Sequence, residues 1–143
     1  MGFRRSMVVT LGGAALVIAF IVAACGGGAK ASIVRVVAQE WSFQPSVASV
    51  GTGPVTFEVV NRGKQEHELV ILKTDLPAAA LKMRANEDKV DEDASGKNVG
   101  EVEGIEAGHT KAGTFDLPLG RYVLLCNIAG HYKAGMVLSF EVK

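Results

Sequence analysis

The chain has 143 residues, 15 Lys plus Arg against 15 Asp plus Glu, and 48% hydrophobic residues, enough for one ordinary domain with its own core. A formal net charge of zero and a predicted pI near 6.8 remove the basic footprint that phosphate-backbone binding needs, so no nucleic-acid partner is expected. The positive mean hydropathy of +0.25 has its source at the N-terminus.

There, Arg4 and Arg5 precede Met7 to Ala24, an apolar stretch whose only polar side chain is Thr10. A positive start, an apolar run and small residues before a cut site are the parts of a secretory signal. The residues Val22-Ala23-Ala24-Cys25 resemble the lipobox of bacterial lipoproteins, which implies removal of residues 1–24 and a lipid on Cys25. Residues 25–31, with Gly26-Gly27-Gly28, then form a flexible tether, and residues 32–143 the domain. The other reading is an uncleaved membrane helix; its 18 residues span about 27 Å, just short of a typical hydrocarbon core. Either way the domain is expected outside the cytoplasm, in the periplasm or on the outer face of the cell membrane. With Cys25 lipidated, Cys126 is a single thiol in an oxidising compartment, and a leftover cysteine there needs a reason.

The next elements are strands. Val34, Val36 and Ala38 alternate with Ile33, Arg35, Val37 and Gln39, and Val55, Phe57 and Val59 with Thr56, Glu58 and Val60. Further runs are Glu68 to Leu72, Thr114 to Leu117, Tyr122 to Cys126 and Val137 to Val142, separated by glycine-bearing turns. Short strands at regular spacing predict an all-β sandwich or barrel. One helix of two or three turns is predicted over Asp75 to Asn86, where Asp75 is placed to cap, Pro77 suits a first turn and Ala78 to Arg84 are good helix formers. Glu87 to Asp93, with five acids and one Lys, reads as a solvated connection, and Ala94 to Asn98 as a loop. There is no internal repeat and no sign of a second domain.

The chemistry is concentrated late in the chain. Cys126, His131 and Met136 stand at intervals of five residues and offer a thiolate, an imidazole and a thioether, three soft or borderline ligand types. A trigonal His₂Cys copper centre with a weak axial Met needs one more His from a distant strand, and His67 opens the apolar run Leu69-Val70-Ile71-Leu72. Taken singly, Cys126 and Met136 read as core residues and His67 as a hydrogen-bonded strand histidine; their joint fit to one metal geometry argues otherwise. His109, in the turn Ala107-Gly108-His109-Thr110, has no neighbouring ligand type and is not expected to bind metal.

Residues 31–143 resemble the cupredoxins, the small type 1 blue copper proteins that include plastocyanin, azurin, auracyanin, sulfocyanin and rusticyanin. The matching segments are Trp41-Ser42-Phe43-Gln44-Pro45, Val55-Thr56-Phe57, Asn61-Arg62-Gly63 before His67-Glu68-Leu69, Leu119-Gly120-Arg121-Tyr122, Gly130-His131 and Gly135-Met136. The spacing from Cys126 to His131 resembles that of rusticyanin and auracyanin. The resemblance implies a cupredoxin-like Greek-key sandwich with one short helical insertion and one copper ion on His67, Cys126, His131 and Met136. It also implies that the His131 ring edge lies at the surface, framed by Ile128, Ala129 and Ala134, as the electron's exit. Many family members carry Asn or Ser after the first His, tying the two ligand loops together; this chain has Glu68 there.

Four protein ligands leave no open position for a substrate, so a monomeric carrier of single electrons is expected rather than an enzyme. The partners expected by resemblance are a c-type cytochrome, a membrane quinol-oxidising complex or a terminal oxidase, met at a membrane surface through the lipid anchor. The rival from another class is an extracytoplasmic copper chaperone or storage lipoprotein. Such proteins often carry Met- and His-rich tracts, and beyond Cys25 only Met83 and Met136 occur.

Overall fold

The computed structural model describes residues 30–143, so the signal segment and Cys25 lie outside the described residues. Alternation builds the first strand, β1 (Ser32–Gln39), in which Val34, Val36 and Ala38 are buried while Ile33 and Arg35 face solvent. It is followed by β2 (Ser42–Pro45), β3 (Ser49–Val50), β4 (Gly53–Asn61), β5 (His67–Lys73), β6 (Lys97–Ile105), β7 (Thr110–Leu117), β8 (Gly120–Leu125) and β9 (Val137–Val142). One sheet has the order β2-β1-β4-β7 and the other β3-β9-β8-β5-β6. The chain passes between the sheets at β2 to β3, β3 to β4, β4 to β5, β6 to β7 and β7 to β8, the crossing pattern of a Greek-key sandwich.

The core lies between the sheets. Val55, Phe57 and Val59 of β4 face Leu69 and Ile71 of β5, Tyr122 and Leu124 of β8 and Phe140 of β9. Phe57 and Phe140 meet edge to face with centroids 5.6 Å apart. Each such side chain contributes about 1.5–3 kcal/mol by leaving water. The intervening residues of β5 and β8, Val70, Leu72, Val123 and Leu125, are buried too, on the outer face of the second sheet against Leu81 and Val90. Burial on both faces explains why these two strands read as continuous apolar runs rather than as alternation.

That cover is the segment between β5 and β6, and here two expectations are corrected. The helix expected over Asp75 to Asn86 does not form: only Ala78–Ala80 turns, as a 3-10 turn, and the one α-helix among the described residues is α1 (Glu92–Ser95). Asp75 does not cap but accepts from Arg121 Nε and Nη2 at 3.1 and 3.0 Å. The backbone groups a helix would use are committed elsewhere: Leu81 N donates to the Tyr132 hydroxyl, Lys82 N to Ser95 Oγ, and Asp91 N to the Lys82 carbonyl. Helix propensities differ by only tenths of a kcal/mol per residue, so burying Leu81 and Val90 outweighs them. Nor is Glu87 to Asp93 merely a solvated connection. Val90 at its centre is fully buried, and Asp91 caps α1 by accepting from Ala94 N.

β6 has no strand signature in the sequence. Its pairing with β5 includes two register shifts, and Gly100 sits where an added Cβ would run into the Phe115 ring. The glycine that weakens the strand pattern is what admits Phe115.

Candidate metal centre

Two strands and one loop bring the four expected ligands to one end of the sandwich. His67 begins β5 and shares its inward face with Leu69 and Ile71. Cys126 follows the last residue of β8 and continues the inward series Tyr122, Leu124. The loop then returns to β9 through bonds from His131 N to Ile128 O, Met136 N to His131 O and Cys126 N to Met136 O, each 3.0–3.1 Å. Gly130 makes the turn before His131 with φ at +85°, a conformation that favours glycine. His67, Cys126 and Met136 are completely buried and His131 is 4% exposed.

Ligand atoms of His67, Cys126 and His131 lie within 4.8 Å of one another, with Cys126 Sγ 3.2 Å from His131 Nδ1. The two imidazoles meet edge to face with centroids 5.2 Å apart. Burial lowers the pKa of both histidines, and each also feels nearby charge: His131 lowers that of His67, while Glu40 acts in the raising direction on both. Burial pushes the Cys126 thiol up to about 11.

This geometry fits a metal on one decisive count. Among the described residues, the buried side-chain nitrogens and oxygens without a hydrogen-bond partner are Nδ1 and Nε2 of His67. Leaving such a group unsatisfied costs about 1–3 kcal/mol. A metal-bound imidazole removes that cost, and neutral histidines with a soft sulfur beside them are the donor set that copper takes.

Surrounding residues that sequence reasoning left without a role hold the ligands in place. Asn61 Nδ2 donates to Gln65 O and Ile105 O, both at 2.7 Å, and its Oδ1 accepts from Gly63 N at 2.8 Å, which fixes the turn leading to His67. Glu40 Oε1 accepts from Lys64 N and Gln65 N of the same turn, bonds that hold its carboxyl below the usual range, and lies 3.7 Å from His67 Nε2. Glu68 Oε1 accepts from Asn127 N at 3.0 Å. The carboxylate thus ties the strand that begins at His67 to the loop that follows Cys126. Its burial raises its pKa while that bond acts in the opposite direction.

The surface differs from expectation at His131. His131 is only 4% exposed, so little of its ring reaches solvent, and the Trp41 indole, itself 39% exposed, meets it in a T-shaped contact with centroids 4.8 Å apart. Ile128 is half-buried beside it, and Ala129 and Ala134 are exposed as expected. His109 is exposed, bonded at Nδ1 to Ala107 O, and does not join the cluster.

Residues 48–143 match the sulfocyanin (SoxE) domain family. The chain belongs to the sulfocyanin family. It is 38% identical over 124 residues to the copper-resistant cuproprotein CopI of Rubrivivax gelatinosus, covering 82% of this chain and 71% of that protein. Reduced auracyanin from Roseiflexus castenholzii has the same fold, with a TM-score of 0.56 and 22% identity over 81% of this chain and 99% of that one. So does rusticyanin from Thiobacillus ferrooxidans, with a TM-score of 0.56 and 20% identity over 80% and 79%. This sulfocyanin-family chain is therefore a cupredoxin-like copper protein with a His-Cys-His-Met site.

Proposed function

We propose that the protein is a membrane-tethered carrier of single electrons, with His67, Cys126, His131 and Met136 holding one resident copper ion. The observation that carries this reading is the buried cluster in which His67 has no partner for either ring nitrogen and Cys126 Sγ lies 3.2 Å from His131 Nδ1. Bound copper supplies a one-electron couple; the chain supplies donors fixed before binding. Rigid donors serve transfer because little has to move when the charge changes, and the ligand loop is held by three internal backbone bonds. The Trp41 indole, partly exposed and 4.8 Å from the His131 ring centroid to centroid, is one contact through which an electron can reach the surface.

The tether is carried by Arg4-Arg5, the apolar stretch and Cys25, and places the domain outside the cytoplasm. A c-type cytochrome, a quinol-oxidising complex or a terminal oxidase is the partner class this location suits. Redox encounters are small and weak because turnover needs fast release, and confinement to a membrane surface compensates for that weakness.

The test is to load the full chain with Cu(II) and record visible and EPR spectra before and after ascorbate, with Cys126→Ser as control. An intense thiolate-to-copper band, bleached reversibly by reduction and absent in Cys126→Ser, is the expected result. A colourless protein that takes only Cu(I) and passes it to a chelator would sink the electron-carrier reading. It would favour copper delivery or storage, the alternative to which the name of the CopI relative points.

A further inference from the structure

Period-two alternation gives the ligand loop two faces. Cys126 continues the inward series of β8, whereas Asn127 continues the outward series Val123, Leu125 and meets the segment that covers the second sheet. Asn127 is 6% exposed and uses every side-chain hydrogen-bonding group it has: Oδ1 accepts from Val90 N at 2.6 Å, and Nδ2 donates to Val90 O at 3.1 Å and to Glu92 Oε1 at 2.7 Å. Beyond it, Gly130 N donates to Asp88 O at 2.8 Å. The Tyr132 hydroxyl donates to Ala78 O at 2.9 Å and accepts from Leu81 N at 3.1 Å. The residue after Cys126 and both neighbours of His131 are thus each fastened to one stretch of chain, which is itself anchored by the burial of Leu81 and Val90.

We propose that residues 78–92 act as a strap that positions Cys126 and His131 through Asn127, Gly130 and Tyr132, and thereby sets how fast copper leaves the site. None of these three residues is a ligand, and each acts through the backbone of one. For copper to leave, the Cys126 or His131 side chain has to swing away, which displaces the loop and breaks bonds to the strap. Partners outside the ligand set that fix ligand orientation change metal affinity by about 10–100-fold when removed. The inference rests on the copper-holding reading of His67, Cys126, His131 and Met136, and not on which way electrons pass.

The experiment compares full-length, copper-loaded wild type with Tyr132→Phe, which removes one hydroxyl, and Glu92→Ala, which removes the Asn127 acceptor without touching the ligand loop. Release is followed, after ascorbate reduction, as transfer of Cu(I) to a coloured chelator, and the visible band of the oxidised form is recorded alongside. Each single variant is expected to release copper about tenfold faster with a shifted or weakened band. The double variant is faster still but by less than the product, because both ends belong to one network. Glu92→Gln, which keeps an acceptor oxygen, is expected to release at nearly the wild-type rate. Arg35→Ala, which breaks an exposed ion pair with Glu58 on the other sheet, serves as control. A double variant with unaltered release and spectrum overturns the strap, even if its thermal unfolding midpoint falls. A chain that takes up no copper overturns the copper reading itself.

Discussion

At the scale of single residues, the site depends on what burial does to proton affinity. A thiol with a pKa pushed up to about 11 is protonated at neutral pH, while both histidines, lowered by burial, are neutral and ready to bind. Copper uptake at pH 7 is therefore expected to release about one proton per ion, measured in weakly buffered solution, and none from the thiol position in Cys126→Ser. The histidines also predict a pH dependence for the copper-free protein. Because their pKa values fall below 6.5 on folding, the unfolded chain binds more protons in the window just below that pH. Stability is then fully present above about 6.5 and lost as pH falls through the folded values. Denaturant midpoints from pH 5 to 8 check this; a midpoint that rises on acidification would contradict it. Trp41, the single tryptophan, lies 4.8 Å from His131 and supplies a probe: Cu(II) is expected to quench its emission, and chelation to restore it.

At the scale of elements, the ligands are held by turns and bulges as much as by strands. Asn61 ends β4 and joins the turn before His67 to the end of β6 through three bonds. Asn61→Ala leaves the buried Ile105 carbonyl without one donor and frees that turn. A loss of about 1–3 kcal/mol in urea unfolding with an unchanged slope is expected, together with a weakened copper band. Phe115 over Gly100 is a second joint, between β7 and β6; Gly100→Ala forces a side chain into the ring. The six strand runs read from the sequence all occur, since alternation and apolar runs are local records of which faces are buried. β6 escaped because its pattern depends on Gly100, Gly104 and a bulged register with β5, properties of a pair of strands rather than of one.

At the scale of the whole molecule, the second sheet is closed on its outer face by the strap, and the metal centre sits at the sandwich end with Trp41 against the His131 imidazole. No helix among the described residues is long and apolar enough to cross a membrane, and the proposed tether rests on Arg4, Arg5 and Cys25 of the N-terminal sequence. Cys25→Ala in the full chain is expected to stop lipid addition. The labelled lipid should be lost from the protein, and the unlipidated form should partition out of detergent-rich phase if the signal is still cleaved; a lipid that stays in place would exclude Cys25 as the attachment point.

The candidate ligand set was legible because three of its members fall within one loop at fixed spacing and the fourth begins an apolar strand, and the fold brings His67, Cys126 and His131 together. Fold class followed from the same local periodicity. What the tertiary structure alone decided is everything that turns on partners distant in the chain. Asp75 to Asn86 has the propensities of a helix but forms only the 3-10 turn Ala78–Ala80, because Leu81 is buried against the second sheet and the Tyr132 hydroxyl and Ser95 Oγ take the backbone donors of Leu81 and Lys82. The Glu68 tie to Asn127, the three side-chain bonds of Asn127 and the contact of Trp41 with His131 join residues 35 to 90 positions apart. No local propensity records such contacts; they exist only once two sheets have packed and brought those side chains within hydrogen-bond and van der Waals range.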